Sequence, residues 1–384
     1  IIPFNLYRAT VQGDTSESAN PALQDGDVIV VPQNLQRFAI VGAGNGGLTF
    51  ACYLASRGGE VVALCDKRRD WLAALKEAGT LRSVGPHLAC EIPMPHLTED
   101  PAEAAASGSV ILVVTTANAH AEVARQLAPG LRDGQLLLLC PGYLGGSVLF
   151  RRVLREAGCG VDLTVGELAL LPFAARVVQP GTVAVRAVKR WVLAAALDRR
   201  RTSALVEQLL PYLPMLAPAR DVLEVGLNNV NPVVHVPGAL LNLGLLDAGV
   251  FQNLDFYECL RGRVRRVIEA VDQERLSVGQ ALGYSLLSLE EFDRRSYEGI
   301  ERAYVGGEAG ARWAEAANVP PRYLDEDVPM GLVPLVELGR RWGGHVKYSE
   351  LLVELACLVQ GVNYWRTGRT MEQLGVSDPE DLRG

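Results

Sequence analysis

The run Gly42, Ala43, Gly44, Asn45, Gly46, Gly47 constrains this chain more than any other feature. Its glycines at 42, 44 and 47 follow the apolar run Arg37–Val41 directly and open the helical pattern of Leu48–Arg57. Between a strand and a helix, the first glycine permits a tight turn and the second lets backbone approach a pyrophosphate. The third lets helix and strand pack closely, and the helix N-terminus offers N–H groups to the phosphates. Asp66 lies 24 residues after Gly42, at the end of the apolar run Glu60–Cys65, where a carboxylate accepts from ribose hydroxyls. The expected dinucleotide site is therefore Gly42, Ala43, Gly44, Asn45, Gly46, Gly47, Asp66, Lys67 and Arg68. A carboxylate at 66 repels a 2′-phosphate and leans the reading to NAD, while Lys67, Arg68 and Arg69 stand where they would clamp the extra phosphate of NADP.

The pattern continues with unbroken apolar runs at Val110–Thr115 and Gln135–Cys140, alternating with amphipathic stretches at Trp71–Ala78 and Ala121–Leu127. Strands without polar alternation belong to a sheet covered on both faces, so residues 37–218 are expected to form a Rossmann-type, doubly wound parallel sheet. Past Pro218 the strand pattern stops. Apolar residues at three- and four-residue spacing predict helices over Leu223–Gly249, Phe256–Leu282, Leu289–Arg294, Val333–Trp342, Ser349–Val359 and Met371–Leu374. The fold class is α/β, with a C-terminal all-α domain over 219–384.

A chain of 384 residues accommodates two such domains and an appendage. Asp plus Glu total 44 against 37 Lys plus Arg, a net charge of −7 that argues against nucleic-acid binding. Seven cysteines without a CxxC pair read as reduced thiols, and no leader pattern precedes residue 37, so a cytoplasmic location is expected. The longest uncharged stretch, the 22 residues Val225–Leu246, has the length of a membrane span. Its Asn228, Asn229, Asn231, Asn242, His235, Pro232 and Pro237 make it the wall of a dry polar site instead. Residues 1–36 differ in composition: Leu23–Pro32 resembles the closing strand of the β-grasp repeats of polysaccharide export proteins, and Ile2–Asp14 the stretch before it. They are expected to be a remnant or arm packed on the main body.

Within the uncharged stretch, Asn231 and His235 share a helical face at i and i+4. Histidine gives and takes protons near neutral pH, as carbonyl reduction by hydride requires. Three ordered blocks resemble the octopine/nopaline (opine) dehydrogenase family: the glycine run; Val222–His235, followed by Phe256, Tyr257 and Val271–Arg275; and Arg322–Pro334. Pro141–Gly146 and Gly166–Arg176 support them, and the resemblance spans residues 37 to about 376. It implies NAD(P)H-dependent reductive condensation of an amino acid with a 2-oxo acid such as pyruvate. It further implies His235 as acid/base, Asp327 as its orienting carboxylate, Arg322 as the grip on the oxo-acid carboxylate, and Asn231 as a group orienting substrate or nicotinamide. A homodimer is the assembly considered.

Other histidines have weaker claims. His120 is expected to start a helix, and His87, His96 and His345 lack partner spacing, so no metal site is expected. Asp272, Glu274 and Arg275 read as an ion-pair cluster. Tyr257 is not followed by the glycine the family often carries, and Gly344, His345, Val346, Lys347 and Tyr348 stand where a Thr-Pro is common. Two alternatives remain: a reductase of the ketopantoate reductase or glycerol-3-phosphate dehydrogenase class with Lys189 as catalytic lysine, or a non-catalytic accessory protein of polysaccharide export.

Overall fold

A computed structural model describes residues 35–249, 256–299 and 322–384. The expected arm over 1–36 lies outside the described residues, apart from Leu35 and Gln36. Among the described residues twelve strands form two sheets: β1 Arg37–Val41, β2 Glu60–Cys65, β3 Thr80–Val84, β4 Cys90–Pro93, β5 His96–Thr98, β6 Val110–Val113, β7 Leu136–Leu139, β8 Thr164–Leu168, β9 Phe173–Gln179, β10 Thr182–Val188, β11 Val192–Ala196 and β12 Leu216–Pro218. The larger has the order β12-β11-β8-β7-β6-β1-β2-β5.

Side-chain alternation along these strands explains the layering. Ile40, Leu64, Leu112 and Leu138 bury into one core, and Val41, Cys65, Ile111, Val113, Leu137 and Leu139 into the core on the opposite face. A strand buried on both sides has no polar face, which is why its sequence shows no alternation. Strand β1 lies between β2 and β6, and the chain crosses from one side of β1 to the other only after β5. That reversal opens a crevice beyond the carboxyl ends of β1 and β6, where a doubly wound sheet binds its ligand.

Two departures from expectation concern the sheet. It is not wholly parallel, because β11 runs antiparallel to β8. A second sheet, β4-β3-β10-β9, packs beside it. Its strand Thr80–Val84 alternates buried and exposed residues, with Leu81 and Ser83 pointing inward. A sheet with one wet face carries this weaker signal.

After Pro218 all described elements are helical, around a core that includes Leu227, Val233, Val236, Ile268, Val271, Val333 and Val353. The single helix expected over Leu223–Gly249 is instead three: Val222–Leu227, Asn231–Leu240 and Leu243–Asp247. The first break is at the amides. Asn228 Nδ2 donates back to Glu224 O at 2.9 Å, and Asn229 Oδ1 accepts from Asn231 N at 3.1 Å. Pro232 then occupies the first turn of the next helix, where its missing N–H costs nothing. The expected helix over Phe256–Leu282 begins as a separate turn, Phe256–Cys259, and restarts at Arg263 after Gly262, whose φ is 61°. None of these helices is long and apolar enough to cross a membrane, among the described residues.

A buried arginine ties the helix Arg263–Ala281 to the end of the helix Val222–Leu227. Arg275, 2% exposed, pairs with Asp272 at 2.6 Å and donates to Leu227 O and Leu287 O. Glu274 is a capping group, accepting from the backbone N–H of Tyr348 and Ser349. The cluster expected from sequence is thus structural.

Candidate active site

The glycine run forms the turn between β1 and the helix Asn45–Ser56. Gly42 has φ 107°, and a Cβ there would overlap Val114 O at the end of β6; a Cβ on Gly47 would overlap Gly42 O. These positions admit only glycine. Over Gly44, in contrast, there is open space. The N-cap of the following helix is Gly44, with no side chain bonded to its first turn. A cradle of free backbone N–H groups, open where a Cβ would stand, fits the pyrophosphate of a dinucleotide.

Asp66 braces this turn. It is 8% exposed, and its Oδ2 accepts from Ala43 N at 3.0 Å. Arg68 donates to Oδ1 through Nε and to Oδ2 through its terminal nitrogen, at 2.9 and 2.8 Å. Burial opposes the charged carboxylate, but the Arg68 bonds outweigh it and lower the Asp66 pKa. Arg69 turns away to Glu99, and Lys67 is exposed. Asn45 Oδ1 accepts from Val177 N at 2.8 Å and ties the turn to β9. Trp71 Nε1 donates to Ala43 O, a contact that sequence reasoning missed.

His235 and Asp327 come together across 92 residues: His235 Nδ1 lies 2.8 Å from Asp327 Oδ2. They are 4% and 0% exposed. Asp327 immediately precedes a π-helical turn, Val328–Leu332, of the kind that often interrupts helices at functional sites. Its other oxygen, Oδ1, accepts from Tyr143 Oη at 2.7 Å. With Asp327 as acceptor on both oxygens, Nδ1 of His235 carries the proton and Nε2 is left to accept, 3.3 Å from Tyr257 Oη. Tyr323 stacks on the imidazole, with centroids 3.8 Å apart and planes at 17°. Burial holds the His235 pKa below its usual value; Arg322 and Lys189 push the same way, and Asp327 opposes them.

Arg322 is half-exposed, beside the Tyr323 ring and 3.9 Å from Glu326. Burial opposes its charge, and Tyr143, Glu326 and Tyr323 together outweigh this and keep the guanidinium protonated. In the acidic run that follows, Asp325 is exposed, while Glu326 and Asp327 are buried. Asn231 is half-buried one helical turn before His235, and its side chain is not what breaks the helix.

Cofactor-side loops and this segment are laced together. Ala117 N donates to Glu326 Oε1 at 2.8 Å, and Asn118 Nδ2 donates to Asp325 O at 2.6 Å. Arg369, 1% exposed, donates to Gly142 O and Leu144 O, each at 3.0 Å, and to Ala117 O at 3.2 Å. Tyr143, between those carbonyls, has φ 60°, a conformation unusual for a side-chain-bearing residue that the Arg369 clamp sustains. His120 starts its helix as expected, fully buried beside Arg369. Lys189 follows β10 rather than lying in it, and its Nζ donates to Leu171 O over the Tyr297 ring. Sequence reasoning missed Tyr143, Tyr323, Glu326 and Arg369. Tyr143 and Arg369 have no periodic signature, and the only signal at Tyr323 and Glu326 is adjacency to Arg322 and Asp327.

A profile described as "NAD/NADP octopine/nopaline dehydrogenase, alpha-helical domain" matches residues 218–359, and one described as "Ketopantoate reductase PanE/ApbA" matches residues 38–156. The chain is 34% identical to opine dehydrogenase of Arthrobacter sp. (strain 1C), over 88% of this chain and 95% of that one. Octopine dehydrogenase solved with NADH and agmatine superposes with a TM-score of 0.67 at 19% identity, covering 88% of this chain and 96% of that one. Yersinopine dehydrogenase with NADP+ bound superposes with a TM-score of 0.63 at 15% identity, covering 91% and 96%. With both halves, the glycine turn and the paired His235 and Asp327 accounted for, the chain belongs to the opine dehydrogenase family.

Proposed function

We propose that this protein is an NAD(P)H-dependent opine dehydrogenase, condensing an amino acid with a 2-oxo acid of pyruvate type and reducing the adduct to an N-(carboxyalkyl) amino acid. The observation that carries this reading is the buried 2.8 Å contact of His235 Nδ1 with Asp327 Oδ2. In balance, the amine nitrogen bonds to the oxo carbon, the oxo oxygen leaves as water with the amine's two hydrogens, and the resulting imine gains a hydride on carbon and a proton on nitrogen. The nicotinamide, when bound, supplies the hydride.

The residues divide the remaining work. His235 exchanges a proton with the reacting oxygen through Nε2, the nitrogen that Asp327 leaves free. Its lowered pKa makes the imidazolium a ready donor, and Asp327 steadies that charge while it lasts. Arg322 takes the oxo-acid carboxylate, since a planar guanidinium matches a carboxylate bidentately. Asn231, on the same helical face as His235, orients substrate or the nicotinamide amide. Gly42, Ala43, Gly44, Asn45, Gly46 and Gly47 hold the pyrophosphate, and Asp66, Lys67 and Arg68 the adenosine end. The cofactor is NAD or NADP, with the lean to NAD resting on Asp66.

In this reading residues 37–218 are the cofactor domain and 219–384 the substrate domain, with the reaction in the cleft between them. The free cysteines suit a cytoplasmic enzyme. Leu351, Leu355 and Leu358, exposed along the helix Lys347–Gln360, supply an apolar face for a homodimer. The test is a screen of amino acids against pyruvate and related 2-oxo acids, following NADH and NADPH oxidation and the mass of the product. Oxidation that requires both substrates and yields their reduced condensate supports the reading. Equal oxidation with the oxo acid alone supports the Lys189-centred reductase, for which Lys189→Met, and not His235→Ala, abolishes turnover.

A further inference from the structure

A cavity of about 780 Å³ shares no lining residue with the His235 site. It is bounded by the helix Gly146–Glu156, the start of β8, the end of β11 with the turn that follows it, and the C-terminal residues Leu374, Gly375, Val376, Asp381 and Gly384. Because β11 is antiparallel to β8, the end of one strand meets the start of the other. The cavity therefore opens at the amino-terminal edge of the parallel strands, opposite the edge from which the glycine turn emerges.

In its walls six arginines outnumber the carboxylates of Asp162, Asp198 and Asp381, in a chain of net charge −7. Arg151, Arg152 and Arg155 come from the helix, and Arg199, Arg200 and Arg201 from the turn. Three of them are neutralised locally: Arg152 lies 3.2 Å from Glu156, Arg200 2.9 Å from Asp198 and Arg201 2.9 Å from Asp162. Arg151, Arg155 and Arg199 have no carboxylate partner among the described residues, and a terminal nitrogen of Arg151 is buried with no hydrogen-bond partner. Buried donors in folded proteins are nearly always satisfied, and an orphan on a guanidinium calls for an acceptor. Like charges gathered around one hollow repel each other unless an anion joins them.

We propose that this cavity is a second ligand site, taking a small anion that carries two adjacent phosphate groups and leaving the cofactor turn untouched. Guanidinium forks match phosphate oxygens two at a time, and arginines on two facing elements reach two phosphates at once. The volume falls within the range of small-molecule sites. The edge it occupies is free of the residues that hold the dinucleotide or move the proton, so the ligand acts at a distance from the chemistry.

Calorimetric titration of the full chain with pyrophosphate, at low salt and with NADH saturating the cofactor site, tests this. The expected result is one bound pyrophosphate with a Kd below about 1 mM, weakened at least about tenfold in the Arg151→Gln/Arg155→Gln/Arg199→Gln variant, whose NADH affinity and Tm stay at wild-type values. Loss of pyrophosphate binding once NADH is present, unchanged binding by the triple variant, or equal binding of citrate in place of pyrophosphate each overturns the proposal. None of these outcomes depends on the opine dehydrogenase reading, which is tested by turnover.

Discussion

Tyr143 Oη donates to Asp327 Oδ1 at 2.7 Å, so the carboxylate that holds His235 is itself held by a side chain from the cofactor-side loop after β7. The bond joins the two halves of the molecule at the point where the proton is handled. Tyr143 is a positioning residue, acting through Asp327. Removing its hydroxyl concentrates the Asp327 charge on the imidazole and frees the carboxylate to rotate.

Tyr143→Phe is accordingly expected to lower kcat about tenfold with little change in KM, and to move the His235 limb of the pH profile to higher pH. Steady-state kinetics across pH, with the Tm of the variant as a check on folding, measure both effects. A lowered kcat with an unmoved limb would assign Tyr143 a packing role only.

Arg68 neutralises Asp66 through two hydrogen bonds. Arg68→Ala leaves the carboxylate unpaired against any 2′-phosphate, so the ratio of kcat/KM for NADH over NADPH should rise about tenfold. A ratio that stays put, or moves toward NADPH, would show that Asp66 does not face the 2′ position.

Glu167 on β8 is fully buried: Oε2 accepts from Ser147 N at 2.9 Å, and Oε1 has no partner. Burial raises its pKa from 4.5 to about 7, so the folded state binds the proton more tightly than the unfolded chain. A raised pKa gives stability that is present in full below pH 4.5 and is lost as pH climbs through about 7. The Tm of the wild type should fall across that window, and Glu167→Gln should flatten the fall. Parallel curves for the two proteins would place the titration elsewhere.

How much of this was legible in the sequence follows from how local each signal is. The glycine turn, the buried parallel strands and the pairing of helical spacing with His235 are written in contiguous residues. Asp327, 92 residues from its partner, was reached through family resemblance and not through spacing. The second sheet went unread because strands such as Thr80–Val84 keep one face wet. The helix expected over Leu223–Gly249 broke because asparagine side chains competed for its backbone hydrogen bonds at Asn228 and Asn229. Tyr143 and Arg369 carry the contact between halves, yet a single buried hydrogen bond leaves no periodicity to find.

The central claim is that His235, set by Asp327, handles the proton of a reductive condensation. The most direct measurement compares wild type and His235→Ala in NAD(P)H oxidation with amino acid and 2-oxo acid both present, alongside cofactor binding by fluorescence titration. The account predicts that the variant binds cofactor with wild-type affinity and loses at least about 100-fold in kcat. A variant that turns over within about threefold of wild type, with cofactor affinity intact, would contradict it.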